Sequence, residues 1–354
     1  MIPVVRSNDC LLHDPLVEMW IGMSTPAAEV PDRMTVIERS LCDAGHPIVE
    51  ATAHDDSILR VVHDPALLTH LETVWSAWVE GGYVALGATR VVPYVFPTAE
   101  LLHGLPLGSP AALHARAGLY CYDTMTSVGP GTWTAARAAV DCALTAVDLV
   151  TSGNTMTAYA LCRPPGHHVT RSSYGGSCYL NNAAVAAAAL RAAGHDRVAI
   201  IDVDAHHGNG TQALFYERAD VFYGSVHVDP GAGWFPHHMG FADETGRDAG
   251  RDANLNLPLP PGTPDGPWLN AVARLASVVE SFGATALVIS LGVDAAADDP
   301  ESPLEVSLDG YRQAGRTLGQ LGFPTVAVQE GGYHLEALGG LVRATLEGLV
   351  VGSA

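Results

Sequence analysis

Short apolar runs recur along the chain, each closed by a turn-forming or polar cluster and followed by an alanine-rich stretch of helical spacing. Thr157 to Leu161 leads into Arg163-Pro-Pro-Gly-His-His, and Val198 to Ile201 leads into Asp202-Val-Asp-Ala-His-His-Gly-Asn-Gly. Ala286 to Leu291 ends at Gly292-Val-Asp, and Thr325 to Val328 ends at Gln329-Glu-Gly-Gly-Tyr. Apolar runs this short, alternating with helices, predict parallel strands buried on both faces of an α/β fold. Ligands of such sheets bind beyond the carboxyl ends of the strands, and four polar clusters are delivered to that edge. No repeat, low-complexity segment or charged linker divides the chain, so one domain over residues 1–354 is expected. Within it, the Gly- and Pro-rich stretch 81–118 is too long for an ordinary connection and is expected to serve function or an interface.

Composition narrows the chemistry. With 354 residues, 48% of them hydrophobic, the chain has material for a large core. Its apolar stretches fall short of the roughly 20 residues that a membrane-spanning helix needs, and no basic-then-apolar leader opens it, so a cytoplasmic location away from membranes is expected. The eighteen basic residues are all arginine, against 38 acidic ones, for a net charge of −20. Without lysine there is no Schiff base and no P-loop. Nucleic acid is disfavoured as a partner, and a small cation is favoured. The six cysteines are scattered singly, as reduced thiols.

Asp202, Asp204 and His206 alternate at the end of one predicted strand, and Asp294 emerges from another. Two carboxylates and an imidazole make a three-ligand Zn²⁺ site with one position open. His167 and His168 follow a rigid Pro-Pro-Gly turn, and Tyr333 follows two glycines. Each of these residues alone is as readily a satisfied core group. Together at one edge they supply what a formally neutral zinc site needs: a base for the attacking water, an acid for the leaving group, and a phenol for the developing oxyanion. That combination describes amide hydrolysis.

These motifs resemble the zinc-dependent histone deacetylase superfamily, and most closely its bacterial acetylpolyamine amidohydrolase branch. The resemblance runs from Pro31-x-Arg33 through Arg163-Pro-Pro-Gly-His-His, Gly176-x-Cys-Tyr-Leu-Asn-Asn and Asp202-Val-Asp-Ala-His-His-Gly-Asn-Gly-Thr-Gln to Glu330-Gly-Gly-Tyr. It implies an arginase-like three-layer α/β fold around an eight-stranded, mainly parallel sheet. Zinc ligands are then Asp204, His206 and Asp294. His167 and His168 flank the attacking water, held by Asp202 and Asn209 respectively, and Tyr333 polarises the acetyl carbonyl. Either imidazole can be the base. The resemblance further implies a structural K⁺ or Na⁺ near Asp202, Asp204, His206 and the backbone of Ser225 and Val226, with a second at the backbone of Phe215, Arg218 and Val221. Arginase-like ureohydrolases share the architecture but carry a further Asp where this chain has Gly208, which argues against a two-metal site.

By the same match, Gly176 and Phe235 line a tunnel with Trp234 beside it, and Ser177 stands where relatives place a large aromatic. Asp123 matches a rim carboxylate, and Glu301 matches a gatekeeper that selects polyamines. The stretch 81–118 resembles an insertion used for dimerisation, which also narrows access. The leading expectation is a homodimeric deacetylase of N-acetylated polyamines or similar small amines. The competing readings are a protein or peptide lysine deacetylase and a non-catalytic metal-binding sensor of the same fold.

Overall fold

The computed structural model describes residues 1–353. Its ten strands are β1 (Val4–Arg6), β2 (Val17–Trp20), β3 (Met23–Pro26), β4 (Ile48–Glu50), β5 (Thr157–Ala160), β6 (Val198–Asp202), β7 (Val221–Val228), β8 (Asn254–Leu259), β9 (Ala286–Leu291) and β10 (Thr325–Gln329). Eight of them form one sheet in the order β4-β1-β5-β10-β9-β6-β7-β8. Every neighbouring pair in it is parallel. The strands β2 and β3 form a separate antiparallel hairpin.

The four runs read from hydrophobic patterning become β5, β6, β9 and β10, and they lie side by side at the sheet centre in the order β5-β10-β9-β6. Chain order is broken there, which opens a crevice beyond the carboxyl ends. Residues of β6, β7, β9 and β10 are buried throughout, as expected of strands covered on both faces by helices. The strands that patterning misses are the outer ones. Three residues each in β1 and β4 are too few to show a period, and β8 alternates Asn-Leu-Asn-Leu with a proline at 258, the grammar of an edge strand.

Residues 81–118 form short helical turns, Val84–Leu86, Ala99–Leu102, Leu113–Arg116 and Ala117–Leu119, joined by irregular chain. The stretch leaves Leu86, Tyr94, Leu101, Leu105 and Leu107 largely exposed. Near them the β2–β3 hairpin exposes Trp20, Ile21 and Met23, and the two elements line one cavity together through Val17, Met19, Tyr83 and Tyr94. Among the described residues no helix is long and apolar enough to cross a membrane. All six cysteines are free thiols, five of them buried.

Candidate metal and catalytic site

Register brings the site together. Pairing of β6 with β9 sets Asp202 opposite Ser290, so the chains leaving both strands run on side by side, one carrying Asp204 and His206, the other Asp294. The His206 Nδ1 lies 3.0 Å from Asp294 Oδ2 and 3.3 Å from Asp204 Oδ1. One donor atom from each of the three lies within 4.8 Å of the others. Two glycines make room for this convergence. A Cβ on Gly331 would sit 2.4 Å from Asp294 Oδ2 and 2.6 Å from Asp204 Oδ2, and one on Gly292 would sit 2.0 Å from Asp204 Oδ2. Both carboxylates are buried. Burial opposes the charged form of His206, but hydrogen bonding to Asp204 and Asp294 outweighs it and pushes the imidazole well above its ordinary range. Burial and the neighbouring Asp204 push Asp294 up to about 7. A cluster that competes this strongly for protons, with nitrogen and oxygen donors converging on one point, fits a divalent cation of the zinc type.

The two histidines after the Pro-Pro-Gly turn stand at ring-centroid separation 4.0 Å, yet their partners differ. His167 Nδ1 donates to Asp202 Oδ2 at 3.0 Å, and His168 Nδ1 donates to Asn209 Oδ1 at 2.7 Å. Each thereby frees its Nε2 for chemistry, and that of His167 lies 3.9 Å from Asp204 Oδ1. Desolvation disfavours a charge on both. At His167 it is overcome by Asp204, Asp202 and Glu330, which raise the group to about 10. At His168 desolvation prevails, reinforced by His167 and His206, and holds the imidazole well below its ordinary value. The surroundings thus favour the charged form of His167 and the neutral form of His168.

A cleft opens at His206 of the trio, faced also by His168, Gly176, Ser177, Phe235, Met125, Glu18, Glu301 and Tyr333. Phe235 meets His168 edge-on at 4.7 Å and lies near-parallel to Tyr122 at 6.5 Å. The Tyr333 backbone N–H donates to Asp299 Oδ2 at 2.8 Å, and the Arg33 guanidinium sits 4.7 Å above its ring. Asp123 supports the wall: its carboxylate accepts from the N–H groups of Gly176 at 2.6 Å and Thr126 at 2.8 Å. Trp234, next to Phe235 in the chain, is partly buried and packs against the core. The residues expected to hold monovalent cations are adjacent, since Asp202 and Ser225 are register partners. At the second position the Arg218 N–H donates to the Phe215 carbonyl at 2.9 Å, three residues before Val221.

Three glutamates matter that sequence reasoning left without a role. Glu330 is fully buried, and its Oε2 accepts from the N–H groups of Gly166 at 2.6 Å and His167 at 3.1 Å, fixing the turn that carries both imidazoles. Burial is the main force lifting this carboxyl to about 7. Glu29 receives Arg33 at 2.9 Å and Arg163 at 2.8 Å, while Arg33 also donates to the carbonyls of Glu330 and Gly332. That buried bridge locks the loop of Tyr333 to the loop of His167. Glu18, on β2, is pushed up to about 7 by burial and by the nearby Glu301. Glu330 stood in view inside its motif. Glu29 and Glu18 lie far along the chain from every cluster, and no spacing betrays them.

Comparison with known proteins agrees with this geometry. Residues 27–349 match the family described as histone deacetylase domain. The chain is 39% identical over 347 residues to an acetylpolyamine amidohydrolase of Mycoplana ramosa, covering 98% of this chain and 99% of that protein. It is 38% identical over 238 residues to histone deacetylase 8 of Arabidopsis thaliana, covering 64% and 62% of the two. A solved acetylpolyamine aminohydrolase from Burkholderia pseudomallei superposes with a TM-score of 0.91 at 37% identity over 99% of each chain. With the fold, the site and these matches in agreement, the chain belongs to the histone deacetylase family, on its acetylpolyamine amidohydrolase-like branch.

Proposed function

We propose that the chain is a metal-dependent deacetylase that hydrolyses N-acetyl groups from polyamines and similar small cationic amines. The observation that carries this reading is that His168 and Tyr333 face one cleft together with His206 of the three-ligand cluster, while His167 Nε2 stands 3.9 Å from Asp204 Oδ1. Asp204, His206 and Asp294 would hold Zn²⁺, which when bound supplies Lewis-acid polarisation of the acetyl carbonyl and acidifies water. The chain's own residues do the rest. His168, kept neutral, takes a proton from the attacking water at its free Nε2. His167, whose charged form Asp204 and Asp202 favour, delivers a proton to the departing amine. The Tyr333 hydroxyl, held protonated by burial, donates to the oxygen that gains charge.

Substrate choice follows from the mouth. Glu18 and Glu301 face the same cleft, and each is pushed upward in pKa by burial. A second ammonium on the substrate would relieve that cost, which a peptide acetyl-lysine lacking one does not. The exposed apolar residues of 81–118 and of the β2–β3 hairpin support a homodimer formed through them, in which each chain is one domain. A structural K⁺ or Na⁺ at the Asp202–Ser225 pair completes the reading.

The test is a panel of acetylputrescine, acetylspermidine and an acetyl-lysine peptide, read by mass spectrometry with and without chelator. Chelator-sensitive turnover favouring the acetylated polyamines by about tenfold or more in kcat/KM is expected. Equal or better turnover of the peptide would overturn the substrate assignment, and no turnover of any acetylated amine by the zinc-loaded protein would overturn the enzyme.

A further inference from the structure

Around His167 lies a second group of potential metal ligands. Ligand atoms of His167, Cys178 and Glu330 all lie within 4.8 Å of one another, and all three residues are buried. Among the described residues this group and the trio of Asp204, His206 and Asp294 are the two clusters of three or more His, Cys, Asp or Glu whose ligand atoms converge this closely. Glu330 uses Oε2 for two backbone N–H groups, whereas its Oε1 is buried without any hydrogen-bond partner. An orphaned buried carboxylate oxygen costs free energy that a cation would recover. The thiol of Cys178 beside it adds a soft donor, so the set of one sulfur, one nitrogen and one oxygen matches zinc and its heavier congener cadmium rather than magnesium or calcium.

We propose that His167, Cys178 and Glu330 form a second, inhibitory site for a thiophilic divalent cation. Both nitrogens of His167 have a task in the proposed reaction. Nδ1 is held by Asp202 at 3.0 Å, and Nε2 stands 3.9 Å from Asp204 Oδ1 on the side of the first cluster. A cation drawing on either nitrogen takes the imidazole from its proton-transfer duty or from the carboxylate that orients it. The thiol and the imidazolium each give up one proton to solvent as the metal–sulfur and metal–nitrogen bonds form, and no oxidant is involved. Activity therefore passes through a maximum as metal is added: the first equivalent activates, and the second inhibits. The proposal rests on reading Asp204, His206 and Asp294 as the activating site, but the two fail separately, because activation belongs to the first equivalent and inhibition to the second.

The experiment starts from protein loaded with one equivalent of Zn²⁺, in a Cys42→Ser background that removes the exposed thiol. Cd²⁺ is then titrated while ultraviolet absorption and deacetylation are followed together. The expected result is a second bound equivalent, a cadmium–thiolate absorption band, and loss of activity in step with the band. Cys178→Ser should abolish the band and leave activity intact at the same cadmium concentration. Glu330→Gln should keep the band while weakening the second equivalent about tenfold or more. A ¹¹³Cd resonance in the sulfur-ligated range, read on the protein that retains Cys178, provides a measurement that does not depend on either variant folding. Inhibition without a thiolate band, a ¹¹³Cd shift showing only nitrogen and oxygen ligands, or inhibition unchanged in folded Cys178→Ser would each overturn the proposal.

Discussion

At the scale of single residues, the site divides two chemically identical side chains by what each one touches. His167 and His168 are neighbours in sequence and both are buried, so desolvation acts on each against the charge. The difference is that Asp202 accepts from one and the amide of Asn209 from the other. Truncation at Asn209 is expected to leave the His168 ring without an orienting acceptor. For Asn209→Ala, kcat should fall roughly 10- to 100-fold with KM nearly unchanged. Asn209→Asp should instead give His168 the partner that His167 has. Because a carboxylate favours the protonated imidazole, the neutral form is then reached only at higher pH, and the acid limb of kcat/KM should move upward. A pH–rate profile of Asn209→Asp identical to that of the parent would mean that His168 is not the proton acceptor.

Elements explain both what the sequence made legible and what it hid. The central strands β5, β6, β9 and β10 are readable because burial on both faces demands unbroken apolar runs, and their ends are readable because polar clusters begin abruptly there. Asp204, His206, Asp294 and the histidine pair are legible for the same reason: each belongs to the polar cluster that follows a strand, between two and eight residues past its end. Outer strands and the β2–β3 hairpin escape, since pairing partners rather than composition decide them. So do Glu29 and Glu18, whose contacts span large sequence separations; Glu29 reaches Arg163 across 134 positions. The loop after β10 illustrates a constraint that only coordinates reveal. Gly331 donates its N–H to Asp204 Oδ2 at 2.8 Å and has the carboxylates of Asp204 and Asp294 packed against its missing side chain. Those atoms have no slack, because each carboxylate also anchors a neighbouring backbone amide. Gly331→Ala is therefore expected to lower zinc affinity by about tenfold or more and to cost roughly 1–3 kcal/mol of stability through overpacking. Competition with a chromophoric chelator and chemical denaturation measure the two effects, and parental zinc affinity in the folded variant would show that the carboxylates can retreat without loss.

Over the whole molecule, charge acts at longer range than any of these contacts. A chain with 38 acidic residues, eighteen arginines and no lysine carries a net −20, and the mouth of the cleft adds Glu18 and Glu301 at short range. A field of that sign concentrates cations before they dock, and salt screens it once charges lie more than about 10 Å apart at 0.1 M. Contacts inside the cleft are partly shielded from water and feel salt much less. The two contributions can be separated by the substrate's own charge. For an acetylated polyamine with two free ammonium groups, kcat/KM should fall about tenfold between low salt and 0.5 M, mainly through association. For an acetylated amine of the same length with no free ammonium, it should stay nearly flat. Since kcat is measured after docking, it should change little for either substrate. Parallel salt dependence for the charged and uncharged compounds would show that the acidic surface serves solubility alone and that Glu18 and Glu301 discriminate only by contact.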